Sequence, residues 1–182
     1  HHSLESLSQS LDGKLWIEKG DPSEVIERLI DTYPIEAVYW GRCYEPWRIK
    51  RDEKIKAYLA KRNIEVKSFN NALLWEPWEI KKDDGSPYKV FTPFFRKGCL
   101  NYAPPREPLD PPKKLNIFQN SLSKSIDDLK LLPSIRWDKS LMQHWIIGEA
   151  HAQDRFSKFL AIGIGNYKEG RNYPSDHFVS RL

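Results

Sequence analysis

Cysteine is scarce in this sequence: Cys43 and Cys99 are its only two. Two thiols cannot build a disulfide framework, and neither sits in a CxxC or Cys/His pattern that would hold zinc. A reducing compartment, the cytoplasm, is the expectation. Long apolar runs are missing too. No stretch approaches the roughly 18 residues of a membrane span, so no membrane partner is expected. The short catalytic signatures are absent: no GxxxxGKS/T, no GxSxG, no HExxH and no GxGxxG after a strand. Gly163-Ile164-Gly165 is a lone GxG inside a helical pattern, without the preceding strand that a phosphate loop needs. His144 and His151 stand seven apart on an expected helix, but no third ligand is near, so no metal site is expected. Methionine occurs once, at Met142, and the chain opens on His1. The expectation is a piece of a longer polypeptide.

What is present is a soluble globular balance. Aliphatic, aromatic and cysteine residues make up 40% and charged residues 30%, which excludes a disordered tail or a fibrous repeat. The net charge is 29 − 25 = +4, a mild basic excess that permits a nucleic-acid partner without requiring one. Its basic pairs, Lys50-Arg51, Lys81-Lys82 and Lys113-Lys114, are scattered and read as solvated surface. Seven Trp, eight Tyr and eight Phe are a heavy aromatic load, suited to a core or to surfaces for flat ligands.

Along the chain, Leu4, Leu7 and Leu11 form one stripe of an amphipathic helix that Gly13 stops. Leu15 to Glu18 reads as a short strand. Asp21 can cap a helix, Pro22 suits its first position and Glu24 completes a capping box, with Val25, Ile26, Leu29 and Ile30 on one face. Ala37 to Trp40 reads as a buried strand. A charged helix follows from Trp47 to Arg62, burying Ile49, Ile55, Tyr58 and Leu59, and Ile64 to Phe69 alternates as a strand. This alternation predicts an α/β layered sheet with parallel crossovers. Eight of the thirteen prolines then fall between Pro77 and Pro112, so that stretch is expected to be irregular. One short helix is expected inside it, starting at Thr92-Pro93. Helical spacing returns from Ser140, notably at Phe156, Phe159 and Leu160.

Several ordered strings resemble the DNA photolyase/cryptochrome family. They are His1-His2-Ser3-Leu4, Gly20-Asp21-Pro22-Ser23-Glu24-Val25, Tyr44-Glu45-Pro46 with Arg51-Asp52, and Leu73-Leu74-Trp75-Glu76-Pro77-Trp78-Glu79. Further on come Pro87-Tyr88-Lys89-Val90-Phe91-Thr92-Pro93-Phe94, Trp145 with Gly148-Glu149-Ala150, Tyr167 to Pro174, and Ser180-Arg181-Leu182. The set spans nearly the whole chain, and the PYKVFTPF string is its most specific member. The resemblance is to the class I type that repairs cyclobutane pyrimidine dimers. It implies an incomplete Rossmann-like parallel-sheet antenna domain, a proline-rich linker and the first helices of an all-α FAD-binding domain. The corresponding divisions are 1–100, 101–139 and 140–182.

By the same resemblance, the function is light-dependent repair of UV-damaged DNA by electron transfer from reduced FAD, with a cryptochrome-type photoreceptor as the alternative. A nucleotide-binding module of the electron-transfer-flavoprotein kind shares the layered design but not the PYKVFTPF linker. Tyr167 corresponds to a tyrosine at the FAD phosphates. Val179, Ser180, Arg181 and Leu182 correspond to the phosphate-facing turn, with Val179 where many members carry Thr. Arg171 corresponds to an arginine on the DNA-facing surface. Glu45 is the remaining acidic residue of an antenna pocket, while Trp47 and Arg48 replace the Asn-Glu pair of folate-binding members. The antenna could therefore be a folate bound differently, a deazaflavin or a flavin, or there could be none. No catalytic side chain is implied, because the flavin performs the chemistry. The resemblance further implies a sheet order of 3-2-1-4-5 with two strands lacking, so that residues 15–18 would lose their neighbours. Oligomerisation or strand exchange would repair the edge. The isolated chain is expected to bind no flavin and repair nothing.

Overall fold

The computed structural model describes residues 1–118 and 123–173. They fall into two compact units, Gly20–Leu115 and a second made of His1–Lys19 with the residues from Asn116 onward. Compactness thus divides the chain near positions 20 and 115.

In the first unit, helix α2 (Pro22–Thr32) begins as its sequence dictates: the Asp21 carboxylate accepts from the Ser23 N–H at 2.8 Å, and Pro22 opens the first turn. Strand β1 (Ala37–Gly41) leads into helix α3 (Pro46–Lys61), which returns the chain to strand β2 (Glu65–Phe69). The strands are parallel, in the register Val38 to Val66 and Trp40 to Ser68. The turn out of α3 needs Asn63 at φ 57°, in the left-handed region that asparagine tolerates. There the Ile64 N–H bonds back to the Leu59 carbonyl at 3.1 Å.

Ile55, Leu59 and Ile64 form the core of this unit, with Ile26, Ile30, Ile35, Val38, Trp40, Tyr58 and Val66 packed around them. Leu59 is fully buried, and complete burial of such a side chain contributes roughly 1.5–3 kcal/mol. Ile49, expected on the buried side of α3, is 41% exposed. It lies in the first turn of the helix, ahead of the stripe that meets the sheet. The proline-rich stretch carries one short helical segment, α4 (Phe91–Pro93), which continues as a π turn (Phe94–Gly98) and a tight turn (Cys99–Asn101). It begins at Phe91 instead of Pro93, and Tyr88 meets Phe94 edge-on at 6.1 Å.

In the second unit, helix α1 (His2–Ser10) ends where Asp12 and Gly13 adopt φ 54° and 74° and the Gly13 N–H reaches the Ser8 carbonyl at 2.8 Å. Glycine is the residue that takes this turn at least cost. Residues 15–18 are not a strand, contrary to expectation. Among the described residues, Ile17 bonds to the 123–124 segment from its N–H to Ser123 Oγ at 2.9 Å and accepts at its carbonyl from Lys124 N at 3.0 Å. These residues also belong to a different compact unit from β1 and β2. Short helix α5 (Lys139–Met142) precedes α6 (Glu149–Lys158), which runs through π and tight turns to α7 (Tyr167–Gly170). Gly148 at φ 136° stands ahead of α6, so His144 and His151 do not share one helix. Among the described residues no helix is long and apolar enough to cross a membrane.

Candidate functional site

Open parallel sheets bind ligands beyond the carboxyl ends of their strands, and at that end of β1 this chain gathers its charge. Arg42 follows the strand directly, and its N–H extends the ladder to the Phe69 carbonyl at 2.8 Å. Its side chain is held on several sides. Nη2 donates to the Ser68 carbonyl at 2.9 Å, Nε to Ser68 Oγ at 3.4 Å, and Nη1 pairs with the Glu76 carboxylate. The Tyr44 hydroxyl donates to the other Glu76 oxygen at 2.6 Å. Burial first, and then this bond to Glu76, push the Tyr44 phenol up to about 12. Tyr44 is thus a neutral donor throughout the physiological range. The Arg42 guanidinium also lies over the Trp78 ring, 5.2 Å from its centre.

A second group is built on the first turns of α3. Asp52, 8% exposed, accepts from Arg51 Nε at 2.8 Å and Nη2 at 2.6 Å, and from Trp40 Nε1 at 2.9 Å. A buried carboxylate needs such a full set of donors. Arg51 and Arg48 both cover the Trp47 ring, at 5.9 and 4.9 Å, and both approach Cys43 Sγ, at 4.0 and 3.7 Å. Glu45, just ahead of α3, pairs with Arg48 at 3.4 Å and accepts from the Tyr44 N–H at 3.2 Å. On the α2-facing side, Ile26, Val38, Trp40, Asp52 and Ile55 line a recess of ≈ 340 Å³.

Asp52 and Glu76 are each occupied by an arginine, so neither is poised as a general base. What the group offers is recognition. Trp47 and Trp78 are 63% and 53% exposed, and each sets a flat π surface beside a guanidinium. Such a surface suits a planar ligand that is anionic or electron-rich. The basic and aromatic interleaving from Trp40 to Arg51 is the sequence signal for this group. Nothing in the spacing announces that Glu76 completes it.

Tyr167 opens α7, is 39% exposed, and packs edge-on against Phe159 at 5.5 Å. Arg171 is exposed one turn later, where its N–H reaches the Tyr167 carbonyl at 3.1 Å. The two therefore stand together on one helical turn. Glu45 belongs to the other compact unit. Val179, Ser180, Arg181 and Leu182 lie outside the described residues.

A sequence model described as DNA photolyase matches residues 1–113. A deoxyribodipyrimidine photo-lyase of Agrobacterium fabrum is 34% identical over 100% of this chain, which spans 39% of that protein. Cryptochrome-1 of Arabidopsis thaliana is 33% identical over 93% of the chain, which spans 26% of it. Among solved structures, a bacterial class III photolyase from Agrobacterium tumefaciens superposes with a TM-score of 0.84 at 33% identity, covering 97% of this chain and 38% of that one. That relative is named as class III, whereas the motifs resembled the class I type.

Proposed function

Because this chain belongs to the DNA photolyase family, we propose that it works as part of a deoxyribodipyrimidine photo-lyase, supplying the α/β and linker portion and the first helices around the flavin. The similarity that carries this reading runs the whole length of the chain, at 34% identity to a protein of that name. The chain spans under two fifths of such relatives, so the activity belongs to the polypeptide that includes it. Exposed apolar residues such as Phe91, Ile135, Trp137 and Ile146 are consistent with surfaces that the remainder covers.

In this role FAD, when bound, supplies the light-driven electron that opens the cyclobutane ring of a pyrimidine dimer. The exposed Tyr167 phenol is free to donate to an FAD phosphate. Ser180, Arg181, Leu182 and the backbone at Val179 would complete that cradle. Arg171 would neutralise a DNA phosphate, adding affinity without sequence choice. The exposed indoles and guanidiniums near Glu45 would hold a planar antenna of folate, deazaflavin or flavin type. Free thiols at Cys43 and Cys99 accord with a cytoplasmic setting.

With β2 as its only hydrogen-bonded neighbour in the described sheet, β1 keeps an open edge, through which the isolated chain would associate. Sedimentation as a monomer at every concentration would contradict that association.

The direct test is loss of cyclobutane dimers from irradiated DNA under blue light by the polypeptide that contains this chain. Repair in light and none in darkness supports the lyase. A bound flavin without repair supports the cryptochrome-type reading, which the 33% identity to cryptochrome-1 keeps in play.

A further inference from the structure

We propose that His1, His2 and Glu5, at the start of α1, bind a divalent transition metal, with zinc(II) the ion their chemistry fits. Two imidazoles and a carboxylate are the borderline ligand set that zinc takes. Their ligand atoms all lie within 4.8 Å of one another. Glu5 already joins the pair: Oε1 is 3.2 Å from His1 Nε2, and Oε2 is 2.9 Å from His2 Nδ1. Tetrahedral zinc, with bonds of about 2.0–2.1 Å, holds its ligand atoms roughly 3.3 Å apart. Small side-chain rotations therefore convert the present hydrogen-bonded cluster into a coordination shell.

Three observations favour a site over a chance pairing of surface groups. The His1 side chain is only 8% exposed, so its ring is ordered before any ion arrives. The two rings meet edge to face at 5.1 Å and 89°, and this turns a different nitrogen of each toward the same carboxylate. From a distant tight turn (Asp127–Leu129), the exposed Asp127 side chain brings Oδ1 within 3.9 Å of His1 Nε2, and its rotation toward the cluster would supply a fourth ligand. Two carboxylates balance the double charge of the ion and offset its unfavourable placement at the positive end of a helix. Both elements belong to one compact unit and border a recess of ≈ 490 Å³. The ion would thus clip α1 to the 127–129 turn.

The test is zinc titration by calorimetry, with cobalt(II) absorption as a coordination probe, on the 182-residue chain carrying two extra residues, Gly and Ser, ahead of His1. The extension moves the α-amino group away from the imidazoles, so that it cannot supply the affinity. Expected are one zinc per chain, an intense tetrahedral cobalt spectrum, and binding weakened about tenfold or more in His2→Ala and Glu5→Gln. Asp127→Asn should weaken it less, and His144→Ala with His151→Ala should leave it unchanged. Zinc should raise the Tm of the parent chain but not of Glu5→Gln, a readout that holds if His1→Ala fails to fold. Equal affinity in the parent, His2→Ala and Glu5→Gln, or no saturable binding, would overturn the proposal.

Discussion

The Tyr44 hydroxyl donates to Glu76 at 2.6 Å while Arg42 pairs with the other oxygen of the same carboxylate, so one acidic side chain ties the end of β1 to the segment after β2. The phenol of Tyr44 is raised from 10.0 to about 12, by burial first and by Glu76 second. A folded-state value above the unfolded one means that this contribution is intact below pH 10 and is lost as pH climbs through about 12. A phenolate absorbance titration of the chain should contain a component near the upper value that Tyr44→Phe removes. Its persistence in Tyr44→Phe would assign the late component to another tyrosine.

Asp52 holds Arg51 and Trp40 from within the first unit. Removing it strands a half-buried guanidinium, so Asp52→Ala should cost about 3 kcal/mol in urea unfolding. Asp52→Asn keeps an acceptor for the indole and should cost about 1–2 kcal/mol. A loss below about 0.5 kcal/mol in Asp52→Ala would mean that water replaces the carboxylate without penalty.

Gly98 is buried in the proline-rich stretch, and a Cβ there would sit 2.7 Å from Ile80 Cγ2 and 3.2 Å from Tyr88 Cε2. Ile80 is itself buried, at 7% exposure. Gly98→Ala should therefore destabilise the unit by about 1–3 kcal/mol through overpacking. Ile80→Ala, which removes Cγ2, should cost less in the Gly98→Ala background than in the parent, and chemical denaturation of the two pairs measures the difference.

Elements that carry their own local signals were legible before the structure. Asp21-Pro22 announces the start of α2, Gly13 the end of α1, and the apolar runs at 37–40 and 64–69 the two strands. What failed depends on partners far away in sequence. Leu15 to Glu18 has strand composition, yet a strand needs a paired neighbour as well as composition, and these residues are not a strand. Ile49 lies ahead of the buried stripe of α3 and is exposed. Asp52 reads as one charge among many until Trp40 and Arg51 close on it. In the sequence His1 and His2 read only as part of a family string, and neither their grouping with Glu5 nor the approach of Asp127 is anticipated there.

Arg171, if it meets DNA backbone, should behave as a phosphate contact. In the polypeptide that contains this chain, Arg171→Ala should weaken binding to damaged duplex across all sequences and reduce the salt dependence by about one ion. A changed sequence preference with an unchanged salt slope would place Arg171 at a base instead.

The measurement that bears most directly on the proposed role is the absorption spectrum of two purified proteins: the 182-residue chain, and the polypeptide that extends it to the length of its relatives. The expected result is bound FAD in the longer protein, with blue-light loss of pyrimidine dimers, and neither property in the 182 residues alone. A stoichiometric flavin on the short chain, or a longer protein with no flavin, would contradict it.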